Sequence, residues 1–175
     1  MLRTSFLLVG LVTLVPACPL LSVQAEVQEV CLTYTGVTIP GVPAGGNISQ
    51  SFDFKDLQGA KALADANAQL TFTHAEVRAT SGVSSFSFVQ QAELSIASGD
   101  ANSTLPTLSI FKCDGCGNAT TTLDVTNATS SPAQDYMKTG SLVVTIDLTG
   151  TPPATDWTAD VDICMSGTVD YTVNP

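Results

Sequence analysis

Five cysteines, one histidine and sixteen carboxylates are the groups in this 175-residue chain that could carry chemistry. Cys113-Asp-Gly-Cys116 has the spacing of a redox dithiol and of half a zinc site. A redox pair sits at the start of a helix, where the dipole lowers the thiol pKa. Here strand-like Leu108-Ser-Ile-Phe111 precedes the motif and Gly117-Asn118 follows it. Structural zinc needs four ligands, and His74 is the one imidazole on offer, with no second C-x-x-C. Asp-Gly favours a tight turn, so the spacing predicts a local Cys113–Cys116 disulfide. The redox pair and the zinc set stand as its alternatives.

His74 lies in Leu70-Thr-Phe-Thr-His-Ala-Glu76, a predicted strand, and any histidine-based catalysis would rest on it alone. The chain has no G-x-S-x-G elbow and no H-E-x-x-H, the signatures of two common hydrolase classes. No glycine-rich loop joins a strand to a helix, so nucleotide phosphates have no cradle. No catalytic residue is assigned. Two carboxylates can hydrolyse a glycoside, but sixteen acids supply some pair at any spacing. Trp157, in Pro152-Pro-Ala-Thr-Asp-Trp157, is the candidate platform for a sugar or other small ligand, its alternative being a core plug at a loop base.

Calcium is the one cofactor to weigh. Asp160, Asp162 and Asp170 share a face of one predicted strand, and Asp147 lies on the polar face of its expected neighbour. Carboxylates gathered this way need solvent or a bridging cation, and calcium accepts six to eight oxygens. Strands lack the loop carbonyls that complete such a cage. Asp100-Ala-Asn102-Ser-Thr104 alternates oxygen ligands in a loop but lacks the glycine and closing glutamate of an EF-hand.

The elements that must position these groups are strands. Ser and Thr make 39 of the 175 residues and charged residues 13%, a composition suited to pleated, half-exposed surfaces rather than polar helices. From Ala159 to Val173 apolar and polar residues alternate with period two, and Leu142–Thr149 does the same before Gly150-Thr-Pro-Pro153. These two runs read as antiparallel neighbours. Gly167 marks a bulge or bend within the last run. A third run spans Phe86–Ile96, and shorter ones span Val30–Ile39, Gln50–Phe54, Leu70–Ala79, Leu105–Lys112 and Thr121–Thr126. Alanine-rich Leu57–Gln69 holds at most one short helix. The expectation is an all-β, single antiparallel sandwich of about eight strands, immunoglobulin-like or jelly-roll. Cys31 and Cys164 then both face outward on the first and last strands, which pairs them. Cys31 with Cys113 or Cys116 is the alternative.

The compartment follows from residues 1–25. Arg3, the apolar run Phe6–Val15 and Val23-Gln-Ala25 have the form of a signal peptide cut after Ala25, leaving one domain over 26–175. Ala17-Cys18 offers a second route, a lipoprotein signal over 1–17 with lipidated Cys18. The apolar run is shorter than the ~20 residues needed to span a bilayer. Six Lys and Arg oppose sixteen Asp and Glu, a net charge of −10, or −11 once Arg3 is gone. Such a surface repels phosphates and argues against nucleic acid. Asn47, Asn102, Asn118 and Asn127 open N-x-Ser/Thr sequons, acceptors of N-linked glycans in a eukaryotic secretory pathway.

Together these features predict an exported, non-enzymatic structural or interaction module, free outside the cell, at its surface, or tethered by Cys18. Its partner, protein or glycan, is not legible. A carbohydrate or small-ligand binding module, calcium-assisted or not, is the second hypothesis, and a carboxylate hydrolase is the third.

Overall fold

The computed structural model describes residues 21–43, 46–55, 57–125 and 133–173. Eight strands follow in chain order: β1 (Leu21–Ile39), β2 (Gly46–Phe54), β3 (Gln69–Ser81), β4 (Val89–Ser98), β5 (Leu108–Asp114), β6 (Thr122–Val125), β7 (Leu142–Gly150) and β8 (Trp157–Val173). They form two four-stranded sheets with the orders β1-β8-β3-β6 and β2-β7-β4-β5. Four of the antiparallel pairings are nested, with β4–β5 innermost, then β3–β6, β2–β7 and β1–β8. The chain is one long hairpin rolled up, and that order selects the jelly-roll over the immunoglobulin-like sandwich.

The expected neighbourhood of β7 and β8 is corrected by this order. The two strands lie in opposite sheets: β7 pairs with β2 and β4, β8 with β1 and β3. Period-two alternation shows which face of a strand is buried, but is silent about which strand lies beside it. Both sheets turn alternate residues inward. Leu142, Val144, Ile146 and Leu148 of β7 face Ala159, Val161, Ile163 and Met165 of β8, all buried. A void lined by Ala75, Val77, Ala92, Leu94, Phe111 and Leu123 measures about 10 Å³, at most the room for one water.

The Phe86–Ile96 run is also corrected. β4 begins at Val89, and Phe86 and Phe88 lie in the preceding loop. A register shift between Val89 and Gln91 resets the alternation, so Val89 and then Ala92, Leu94 and Ile96 are buried. At Gly167 the ladder with β3 continues without a shift, while the register with β1 shifts between the Val27–Gly167 and Val30–Met165 pairs, so the expected irregularity is present on that side. A Cβ there would stand 2.0 Å from the Gln69 carbonyl oxygen, so close backbone approach also calls for glycine.

Helix α1 (Gln58–Asp65) forms within the alanine-rich stretch. Two turns are too few for stability in isolation, and α1 is held by burial of Ala60 and Ala64 at one end of the sandwich. It stops in a Schellman cap. Asn67 takes φ +59°, Ala68 N–H donates to Leu63 O (3.0 Å) and Asn67 N–H to Ala64 O (3.1 Å). A second helical turn, α2 (Gln134–Lys138), packs against α1 and buries Tyr136 and Met137. The Tyr136 hydroxyl donates to Pro106 O at 2.7 Å. Burial, and secondarily the Asp135 carboxylate, push its pKa above the usual 10.

Two disulfides staple this frame. Cys31 and Cys164 are direct register partners on β1 and β8, 133 residues apart in sequence. Cys113 and Cys116 close the turn after β5, where Gly115 takes φ +68°.

The chain-entropy model assigns about 5 kcal/mol to the long loop and about 2 kcal/mol to the short one. Chemical denaturation of the oxidised protein is therefore expected to show Cys31→Ser/Cys164→Ser losing more than twice the stability lost by Cys113→Ser/Cys116→Ser. Equal losses would contradict that ranking. Tyr136 gives a pH test. A raised folded-state pKa in an acid means stability is intact below pH ~10 and falls as pH rises through the folded value. Tyr136→Phe is expected to cost about 1 kcal/mol at neutral pH, one lost hydrogen bond. It should also flatten the alkaline fall in a melting-temperature profile.

Candidate functional site

The outer face of the β1-β8-β3-β6 sheet gathers most of the groups with chemical potential, and two bulges decide where they meet. On β1, Gln28 and Glu29 both oppose Ser166 between the Val27–Gly167 and Val30–Met165 pairs. On β3, Thr73 is the extra residue between the Phe72–Met165 and His74–Cys164 pairs. Both bulges flank β8 at the level of Cys164 and re-aim their side chains toward it. Glu29 consequently reaches across the Cys31–Cys164 bond. Its Oε1 accepts from the Thr73 hydroxyl at 2.7 Å and lies 3.2 Å from His74 Nδ1.

Glu29, Cys31 and Cys164 bring ligand-type atoms within 4.8 Å of one another. The two sulfurs are bonded to each other, which removes the thiolates a metal would need. His74 is thus tied to a carboxylate in a bridge between an edge strand and β3, and the cystine beside it offers no nucleophile.

Further along the same face stands a cluster of opposite charges. Arg78 on β3 places Nη2 3.5 Å from Asp160 Oδ2 and 3.9 Å from Asp162 Oδ2, with Nη1 3.8 Å from Glu76 Oε1. Asp160 Oδ1 also accepts from the Gly36 N–H at 2.9 Å, and Asp162 accepts from the Thr33 hydroxyl. Gly36 sits in a third bulge, between Tyr34 and Val37, at φ +70°. The cation that bridges these acids is the guanidinium of the neighbouring strand.

The four aspartates weighed for calcium are not assembled. Asp147 lies on the opposite sheet, between Ser49 and Glu93, because β7 and β8 are not neighbours. Asp170 is eight strand residues from Asp162, about 26 Å away at ~3.3 Å per residue, and accepts from Gln24 Nε2 at 3.2 Å. In the Asp100 loop, Oδ1 accepts from the Asn102 N–H at 2.9 Å, so the turn is closed by its own backbone.

Trp157 is a core plug. It is 1% exposed and meets the rings of Phe86 and Phe88 edge-on at 5.7 and 6.0 Å. Its Nε1 is buried without a hydrogen-bond partner among the described residues. A Cβ on Gly82, at φ +83°, would stand 2.7 Å from Trp157 Cβ, so no face is left open for a sugar. A surface cleft of about 400 Å³ lies instead beside Thr33, Tyr34, Asp53, Phe54 and Lys55.

Asn47 is exposed on the first turn of β2, and Asn102 is exposed between β4 and β5. Asn118 is half-buried, its Nδ2 donating to Thr122 O at 2.9 Å. Asn127 and Cys18 lie outside the described residues. No helix among the described residues is long and apolar enough to cross a membrane.

Glu29 and Arg78 are the residues that sequence reasoning missed. Arg78 had a legible signal, as the one cation of its strand run, two positions after Glu76. Glu29 had none, because its position depends on bulges that strand alternation does not encode.

No family model and no curated protein matches the chain. Among solved structures, Desmodium yellow mottle tymovirus is similar at a TM-score of 0.35 and 14% identity, over 99% of this chain and 97% of that one. Cocksfoot mottle virus is similar at 0.36 and 9%, over 100% and 98%. The infectious bursal disease virus VP2 subviral particle is similar at 0.36 and 12%, over 83% of this chain and 37% of that one. At these TM-scores nothing is carried over to this protein.

The Arg78 cluster makes a salt-dependent prediction. Its charges are partly exposed, so each pair contributes only ~0.2–1 kcal/mol. Arg78→Gln is expected to lower the melting temperature by a few degrees at low ionic strength. The gap should close near 1 M salt, where the Debye length is ~3 Å. A gap independent of salt would mean that Arg78 acts through packing of its stem.

Proposed function

We propose that this protein is an exported, non-enzymatic structural or interaction module that acts through its outer surfaces. The observation that carries the proposal is the pair of disulfides, which form and persist in oxidising compartments. The close packing between the sheets supports it, with the void among Ala75, Val77, Ala92 and Leu94 measuring about 10 Å³. So does the engagement of the reactive groups: His74 by Glu29, Asp160 and Asp162 by Arg78, and four cysteines by one another.

Strand pairing bears on the mode of export. Leu21–Ala25 pair with Val169–Val173, and a cut after Ala25 would remove that end of β1. Processing between Ala17 and Cys18 keeps the whole strand. The two disulfides leave a retained Cys18 without an intramolecular cystine partner, and a lipid thioether would occupy it. The strand pairing favours the membrane-tethered form.

Intact-mass measurement of the exported chain, with and without reductant, tests both parts. The expected mature protein begins at Cys18, carries diacylglycerol, and gains the mass of four hydrogens on reduction. A chain beginning at Glu26 would overturn the tether and leave export standing. An unprocessed, reduced cytoplasmic chain would overturn export itself.

A further inference from the structure

Each sheet has two edge strands, and three of the four are protected. β1 carries bulges at Gln28–Glu29 and at Thr35–Gly36. β6 is four residues long. β5 carries Lys112 and an extra residue, Ile110, between the Phe111–Leu94 and Ser109–Ser95 pairs. Bulges, shortness and lysines are the devices that keep sheet edges from pairing with other chains. β2 has none of them. It pairs with β7 through nine consecutive partners without a shift, and its sequence Gly46-Asn-Ile-Ser-Gln-Ser-Phe-Asp-Phe54 holds no Lys, Arg or Pro. Among the described residues no strand pairs with its other side.

We propose that β2 is a homodimerisation edge, pairing antiparallel with β2 of a second copy about a twofold axis at Gln50. The proposal rests on the reading of the protein as an interaction module and names its partner as a second copy of this chain. The register follows from self-complementarity, since a twofold contact meets the same surface. With Gln50 opposite Gln50, Ser49 meets Ser51 on the outer face and Ile48 meets Phe52 on the inner face. Asn47 meets Asp53, so each carboxylate faces an amide donor and not its own copy. Two strongly acidic molecules repel over most of their surface, and β2 brings a single charge per copy to the contact. The two β2-β7-β4-β5 sheets would run on as one sheet of eight strands. Ladder hydrogen bonds supply the attachment, as in other strand-addition contacts.

The twofold makes a specific test available. Any charge at residue 50 faces itself, and like charges directly opposite are destabilising. Sedimentation of the oxidised, exported protein is expected to give twice the chain mass, with association strengthening as salt screens the net charge. Gln50→Lys and Gln50→Glu should each sediment at the single-chain mass, with unchanged circular dichroism. An equal mixture of the two should return to the doubled mass. A wild-type protein that stays single-chain up to submillimolar concentration would overturn the proposal and leave the exported, surface-acting reading intact. Doubling that persists in both variants, or a mixture that stays single-chain, would equally overturn it.

Discussion

The pairing of β1 with β8, locked by Cys31–Cys164, is the constraint on which the rest of the sandwich depends. In a nested hairpin each outer pair closes a longer loop than the one inside it. Loop-closure entropy grows only slowly, about 0.6 kcal/mol per doubling, but almost all pairings here are non-local, and such topologies fold slowly. β8 is also the strand shared by β1 and β3. Loss of β8 would leave β1 with no sheet neighbour. A covalent bond at the outermost pair therefore acts where closure costs most, and in a protein with 13% charged residues it replaces stabilisation that surface ion pairs do not supply.

The same pairing organises the chemistry of the outer face. The bulges on β1 and β3 meet at the level of the cystine, so Glu29, Thr73 and His74 form a bridge over β8. This bridge ties together the two strands that do not touch each other. Four residues along β3 from His74, Arg78 gives the acids of β8 a fixed counter-charge. Reactive side-chain types are present, yet each is spent on holding strands in register.

How much of this was legible in the sequence varies with the kind of order concerned. Strand existence was legible because alternation in β7 and β8 is nearly unbroken. The Cys31–Cys164 bond was legible because both cysteines fall on outward positions of the terminal strands. The Cys113–Cys116 bond was legible because Asp114-Gly115 makes a turn between them. Sheet membership was not, since β7 and β8 show the same alternation whether they are neighbours or face each other. The acidic face fails for that reason: Asp147 was grouped with Asp160 and Asp162 on a neighbourhood that does not exist. Trp157 lay in a polar, proline-rich loop that gave no sign of Phe86 and Phe88 packing against it from another loop. Phe86 and Phe88 themselves mimic the alternation of β4 until the shift at Gln90.

The function proposed for this molecule lies in what the sandwich presents outward. With the sheets closely packed and the terminal strands joined, the folded unit has little conformational freedom to couple a ligand to a change of shape, because packed cores are not continuously deformable. Specificity must then come from fixed surfaces: the charged face of the β1-β8-β3-β6 sheet, and the small, hydroxyl-rich face of the other sheet with its unguarded β2 border. On the first, Arg78 only partly offsets the acids around it, and a partner there would have to displace it from two carboxylates. The second presents Ser49, Ser51 and Thr145, of which Ser51 and Thr145 share a hydrogen bond at 2.8 Å, together with Asp147 and the Glu93–Lys112 pair. The free backbone groups of an edge strand add ladder hydrogen bonds to what that side can offer a partner. The β2 border is the edge that no bulge, lysine or shortness protects, and for that reason the proposed second copy is placed there.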